Sequence, residues 1–494
     1  MLVGLSAAAL AQTNAPGIRK VSLDDCVQSA LQKNLDMRIA RIEPPKALAD
    51  LQAAYAGYDP GFTFSGVHNY SKSGGGFDPS IGQVPATTVN QNTINSSLIG
   101  LTPWGMNYSL KSNLDENYGQ RGLTASTFPF DDASGSATIS VSQPLLKNLW
   151  TDQTRFNIKV GKTQVKYTEL GLKQTIMNMV TAVEQAYYDL IYARENVTVQ
   201  EKAVELAMQL VVENRKRVEV GSLAPLDQKQ AEAQAETGRA YLIAAKSGLI
   251  TQENALKQLI SDDYAAIKPV ELLPAAPLSA PVRVFDRQIS WSKGLTERPD
   301  LLQAKLDVER QGITIKYNYN QLFPELDILA GGGYGGGGSG ISEYGQVLNQ
   351  IVKREQPSWS VGGQLTYPLG NIGARANYKK SKLTMDQYLL NLKKLEQTIM
   401  VTIDDDITQA HSSYQQVGAT RSAREYADEA LAAEQKKLEN GKSTTYTVLQ
   451  MQRDLTTARG NEIQALANYN KALAKLSLDE GSTLQRLGIN VEVK

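Results

Sequence analysis

The residues whose types could do chemistry in this chain are few: the acidic run Asp404-Asp-Asp406, His68, His411, and the glycine run from Gly331 to Gly340. Consecutive helical residues fan out by about 100° each, so the three aspartates cannot converge on one metal ion without help from other chains. His68 falls in a strand or loop and His411 in a helix with no nearby partner, so neither builds a catalytic constellation. The glycine run lacks the Gly-Lys-Ser/Thr ending and the following helix of a phosphate-binding loop. It reads as a flexible strand end and surface loop. No metal, cofactor or catalysis is implied.

The one cysteine, Cys26, lies in Leu23-Asp-Asp-Cys26, where two aspartates are wrong for a lipid-attachment box. Asp25, Val27, Ala30 and Leu31 continue a helical pattern, so Cys26 reads as a free, buried helix thiol. Across 494 residues there are 51 basic and 51 acidic side chains, giving zero net charge and no nucleic-acid surface. One cysteine and two histidines leave no disulfide framework or structural zinc site. Residues 1–11 read as the apolar end of an export signal closing on Ala9-Leu10-Ala11, with the mature chain expected from about Gln12. No later run approaches the ~18 apolar residues of a membrane-spanning helix, so export would deliver a soluble protein or a barrel.

The element that organises the chain is a proline-free stretch expected to be one helix over 147–220, roughly 110 Å long. Alternating steps of four and three from Ile176 reach Val180, Val183, Tyr187, Leu190, Arg194, Val197, Glu201, Val204, Met208, Val211, Arg215 and Val218, a 3.5-residue repeat that implies supercoiling against a neighbour. A second stripe, one residue earlier, carries Ala182, Ala186, Ala193, Ala203 and Ala207. Two seams about 100° apart suit a wall of helices better than an isolated pair.

Upstream, 22–58 reads as helical with a capping-type start at Ser22 and a break at Pro44-Pro45. Alternating strands follow at about 61–144, with loops at about 71–91 and 116–135 and a tight turn at Thr102-Pro-Trp-Gly105. A helix over 225–260 closes a first repeat spanning 12–265, and 266–285 reads as a proline-rich linker. Then the pattern starts again. Leu31, Asp36 and Pro60 are answered at constant spacing by Leu295, Asp300 and Pro324, Gln174-Thr-Ile-Met177 by Gln397-Thr-Ile-Met400, and Gly221 by Gly441. A second repeat over 286–480 is therefore expected, with strands at about 325–368, a long helix at 372–440 and a helix at 444–479, followed by a tail at 481–494. In Ser358 to Tyr367, Trp359, Val361, Leu365 and Tyr367 alternate with polar residues, as in strands with lipid on one side and a wet lumen on the other, although a sandwich would alternate identically. Four to six strands per chain are too few for a closed barrel, so several chains must share one sheet.

Leu23 to Leu31 with Asp36, Arg298-Pro-Asp-Leu301, Gln143-Pro-Leu-Leu146 and Val220-Gly-Ser-Leu-Ala-Pro-Leu-Asp227, in this order within a duplicated frame, resemble the TolC family of outer-membrane channel tunnels. The resemblance covers essentially the whole mature chain. It implies an α+β membrane protein: a homotrimer in which a long α-helical coiled-coil barrel in the periplasm joins an antiparallel transmembrane β-barrel in outer-membrane lipid, completed by trimerisation. It also implies docking on a periplasmic adaptor (membrane fusion) protein and an inner-membrane pump of RND, ABC or MFS type.

By the same resemblance, the helical tips at Gly221, Ser222, Leu223 and Ala224 and at Gly441 and Lys442 are where adaptor hairpins would meet the tunnel. The paired aspartates that ring the closed entrance in family members correspond to Thr447 and Gln450, the gate-locking tyrosine and arginine to Leu438 and Ser443, and the acidic partner is retained as Asp227. Four of these five positions are changed, which puts an acidic gate ring and the family's lock in doubt. Asp406 falls where Val183 lies on the seam, and either faces the lumen as an acidic ring or marks a weaker point of the seam. The expected function is a passive, tip-gated exit duct of a tripartite efflux or type I secretion system, not an enzyme. The alternative is a structural coiled-coil anchor or adhesive surface protein without a channel.

Overall fold

The computed structural model describes residues 17–123, 126–338 and 340–489; the expected export signal lies outside them. In chain order the elements are β1 (Ile18–Val21), α1 (Leu23–Lys33), α2 (Leu35–Ala40), α3 (Glu43–Tyr55), β2 (Gly61–Ser73), β3 (Gly76–Asp78), β4 (Gly82–Val84), β5 (Thr87–Leu101), β6 (Asn107–Leu123), β7 (Ser126–Pro144), α4 (Gln153–Glu219), α5 (Pro225–Ile260), α6 (Tyr264–Ile267), β8 (Glu271–Pro274), α7 (Arg287–Glu297), α8 (Pro299–Asn320), β9 (Glu325–Gly337), α9 (Tyr344–Lys353), β10 (Gln356–Thr366), α10 (Ile372–Glu439), α11 (Thr445–Asp479) and α12 (Thr483–Arg486). They divide into a helical unit (Met1–Pro45, Tyr167–Lys305, Leu390–Lys494) and a sheet unit (Lys46–Lys166, Leu306–Leu389).

In the helical unit the expected seam is buried along Ile176, Val180, Val183, Tyr187 and Leu190, against Cys26, Val27, Met37 and Leu256. Each fully buried side chain of this size contributes about 1.5–3 kcal/mol. Beyond Leu190 the buried line passes to Ala193, Ala207 and Leu210, on or beside the second stripe, while Met208 is exposed. The helix therefore offers different faces to neighbours along its length. Burial pushes the Cys26 thiol up to about 12, consistent with an inert core residue.

Several expectations need correction. The long helix starts at Gln153 rather than Lys147, because Asn148 takes a left-handed φ of 66° and the Asp152 carboxylate accepts from the Arg155 amide at 2.8 Å. The 22–58 helix breaks at Asn34 as well, whose side chain caps α2 by accepting from the Asp36 and Met37 amides. Pro44 and Pro45 lie in the first turn of α3, where a missing amide costs no helical hydrogen bond. The linker at 266–285 is partly structured: β8 pairs in parallel with β1, from Ile18 opposite Glu271 to Val21 opposite Pro274.

The sheet unit holds a six-stranded antiparallel sheet in the order β10-β9-β7-β6-β5-β2. The segment at 116–135 is mostly strand rather than loop, and the hairpin turning at 102–106 supplies β5 and β6 to the sheet. Arg155 clasps that turn, donating Nε and Nη2 to the Pro103 carbonyl at 2.9 and 2.6 Å and Nη1 to the Leu149 carbonyl at 2.7 Å. The glycine run is also mostly strand: Gly331 to Gly337 belong to β9. A Cβ at Gly336 would lie 2.5 Å from the Val347 carbonyl and one at Gly135 would lie 3.1 Å from the Val347 side chain, so bare backbone lets α9 lie on the sheet. This helix was not anticipated, although Tyr344, Val347 and Ile351 have helical spacing.

Register sorts the two faces. One carries Phe62, Phe64, Leu110, Ile139, Trp359 and Val361, all half or more exposed. The other carries Ser97, Lys111, Thr138 and Ser358, and near its helix-side end bounds a concavity of about 840 Å³ over Ser109, Ser140, Gly331 and Ser360. Strands of 11 to 19 residues are long enough to cross a bilayer. Strands β2 and β10 each have an unpaired edge.

Candidate docking tips and gate

Both long helices of the helical unit end in the same turn. Gly221, at φ 75°, donates its amide to the Val218 carbonyl, and Ser222 donates to Arg217; Gly441, at φ 67°, donates to Leu438, and Lys442 to Lys437. This paired pattern satisfies the last free carbonyls and needs a left-handed residue, hence glycine. The return helices start differently. Pro225 takes the first position of α5, whereas Thr444 caps α11, its hydroxyl accepting from the Thr447 amide at 3.3 Å and lying 2.9 Å from the Thr447 hydroxyl.

These caps fix the expected site residues. Gly221, Ser222, Ala224, Gly441 and Lys442 are exposed, while Leu223, Asp227, Ser443, Thr447 and Gln450 are half-buried. Thr447 is engaged with its own cap, and Gln450 donates to Asp454 at 3.0 Å on the same helix. Leu438 is buried with Leu210, Leu431, Val448, Leu449 and Leu455. Ser443 donates to Glu434 at 2.5 Å, and Lys437 donates to the other Glu434 oxygen at 2.8 Å, contacts that together hold the Glu434 carboxyl below its ordinary range. Asp227 makes no ion pair among the described residues, and Asn214 donates to its main-chain carbonyl at 3.4 Å. The structure thus does not join Asp227 to Leu438 or Ser443 within one chain.

Asn214, Arg217 and Glu434 were not singled out beforehand. Arg217 reaches from the first hairpin to the Leu438 carbonyl of the second at 3.5 Å. Farther from the tips, α4, α5 and α11 enclose a groove of about 640 Å³ floored by small residues, including Ala203, Ala207, Gly238 and Gly460, and crossed by a hydrogen bond from Arg453 to Gln234 at 2.8 Å.

Of the two readings of Asp406, the weaker point of the seam fits one chain better: it is only 5% exposed and contacts Lys475. Burial, reinforced by a hydrogen bond with Asp479 and opposed by Lys475, raises its carboxyl to about 6. Arg298 completes the cluster, donating to Asp479 at 3.0 Å and to both Asp300 oxygens at 3.0 and 2.7 Å. Burial would raise the Asp300 carboxyl, but the two-pronged Arg298 contact holds it lowered. The Arg298-Pro-Asp-Leu301 motif is a structural clamp.

Residues 109–261 and 291–478 match the family model described as outer membrane efflux protein. The chain belongs to the outer membrane efflux protein family. Among curated proteins it is similar to the outer membrane efflux protein BepC of Brucella suis, 24% identical over 376 residues that cover 72% of this chain and 75% of the relative. Solved structures with the same fold include the Campylobacter jejuni CmeC outer membrane channel (TM-score 0.67, 18% identity, 93% of this chain and 86% of that one) and the open-state Neisseria gonorrhoeae MtrE outer membrane channel (TM-score 0.63, 16% identity, 94% and 89%). As an outer membrane efflux protein the chain is a channel component rather than an enzyme, placed in the outer membrane with its long helices in the periplasm.

Proposed function

We propose that three copies of this chain form the exit duct of a tripartite efflux or type I secretion system, docked on a periplasmic adaptor and an inner-membrane pump. The observation that carries this reading is the open six-stranded sheet, apolar on one face and polar on the other, with an unpaired edge at β2 and at β10. Such a sheet satisfies its backbone in lipid only if neighbouring chains pair those edges. Three sheets would supply eighteen strands, in the range that leaves a water-filled channel. The two halves of the chain read as a tandem duplication in which the first half donates four of the six strands. The tips at Gly221 to Ala224 and Gly441 to Lys442, with the groove over Ala203 and Gly238, would receive adaptor hairpins. Thr447 and Gln450 would line a neutral gate that opens when adaptor binding favours splayed inner helices.

Reconstitution tests the reading. Purified protein should run as a trimer and open ion-conducting pores in planar bilayers; a stable monomer without conductance would sink it.

A further inference from the structure

The helix starts beside the sheet carry a charge pattern that the duct reading does not use. Where β10 ends, the chain exposes Tyr367, Leu369 and Ile372 at 40, 95 and 78%. Arg375, Lys379, Lys380 and Lys382 follow at once on α10, all exposed. No acidic residue lies between Ile372 and Met385, and none of the four makes an ion pair among the described residues. Lys382 instead lies 4.5 Å above the Tyr378 ring. On α4, Lys159 and Lys162 are likewise exposed, and no acid occurs from Gln153 to Lys166. Of the acids near these starts, Asp152 is paired with Arg155 at 3.2 Å and Glu325 with Lys147 at 3.3 Å, while Asp59, just before β2, and Asp327, in β9, make no ion pair among the described residues.

The geometry points to a binding surface for the phosphate headgroups of anionic lipids in the leaflet nearest the helices. It is continuous with the apolar sheet face, whose exposed Trp359, Val361 and Leu365 lead directly into Tyr367 and Leu369. An aromatic and aliphatic rim followed within about 15 Å by unpaired cations matches the order of acyl chain, interface and headgroup. Four clustered cations are costly to bury between subunits, whereas lipid phosphates or water can face them at the surface. Glycan carboxylates of the cell wall offer a different anion, but not an apolar layer against Leu369 and Ile372.

The inference rests on the sheet lying in the membrane, and its test separates the two. Trimers are placed in nanodiscs of phosphatidylethanolamine with one-fifth phosphatidylglycerol, and the lipids retained after extraction are counted by native mass spectrometry. Wild type should enrich phosphatidylglycerol about five-fold or more over the bulk, falling as salt rises. Arg375→Gln with Lys379→Gln, Lys380→Gln and Lys382→Gln should bring enrichment near unity while conductance in the same lipid persists. If the fourfold variant does not fold, Lys379→Gln with Lys380→Gln should lose part of the preference. Equal retention of both lipids by wild type, or unchanged enrichment in a folded variant, overturns the proposal. So does loss of binding to isolated cell-wall sacculi with lipid preference intact. A failed conductance assay with intact lipid preference counts against the duct alone.

Discussion

Arg486 brings one guanidinium nitrogen to 2.7 and 2.6 Å from the two carboxylate oxygens of Glu184, whose side chain is wholly buried on α4. A residue near the end of the chain thus neutralises a charge inside the helical unit. Removing it by Arg486→Ala should cost about 3–5 kcal/mol, because the stranded carboxylate stays in the core. Burial already raises the Glu184 carboxyl despite Arg486. A carboxyl raised in the fold favours folding at low pH and loses that contribution as pH rises, so the variant's deficit should be larger at pH 8 than at pH 5 in thermal unfolding scans. A pH-independent deficit would refute this account.

Asp406 gives a second pH-dependent case with the same sign. Its carboxyl titrates near 6 in the fold against 3.8 ordinarily, so its contribution is full below about 4 and lost as pH passes 6. Asp406→Asn should therefore raise the thermal midpoint at pH 8, with the gain shrinking toward pH 5. Equal shifts at both values would show that the charge is not what matters there.

Gly221 and Gly441 have open space where a methyl group would stand, so substitution tests backbone conformation alone. Gly221→Ala and Gly441→Ala should each cost about 1–2 kcal/mol locally. The loss should appear as faster amide exchange in the last turn of the preceding helix. Gly418→Ala in the middle of α10, also in open space, should stabilise by about 1 kcal/mol, and the opposite signs are the check.

Arg155→Ala should free the β5–β6 turn. It removes the donors to Pro103 and Leu149 and leaves the buried Asp152 without its ionic partner, a loss of about 2–4 kcal/mol. Exchange should accelerate at 102–106 before it does in β2 or β10.

If Thr447 and Gln450 line the proposed gate, Thr447→Asp with Gln450→Asp should confer block by divalent cations at micromolar to millimolar levels in planar bilayers, whereas wild type should be insensitive. Thr447 is the third residue of α11, where a carboxylate also suits the helix dipole, so the variant should fold.

The sequence made the long elements legible because their periodicity is strong. Pro225 and Ile260 bound the expected helix, and the seam from Ile176 to Leu190 is buried. What escaped depended on partners distant in the chain. No local pattern says that Ile18 will pair with Glu271, or that the glycines of β9 are bare so that Val347 can lie on them. Leu438 is placed at the gate by resemblance alone, and no local pattern says that it is buried among Leu431 and Val448. Asp406 was uninterpretable without Lys475 and Asp479, which lie far along the chain.

The unpaired strands β2 and β10 run in opposite directions, and they are unlike each other. Between chains inserted with the same orientation, β2 can pair antiparallel only with a neighbour's β10, never with another β2. Assembly of the proposed trimer would therefore be directional, and one defective copy would be a chain terminator. A chain lacking β10 would still be recruited through its intact β2 and leave the ring gaping. If three copies close the ring as proposed, equal amounts of normal and shortened chains mixing at random would leave only about one ring in eight whole, so such an allele should poison export in cells that also carry the normal gene.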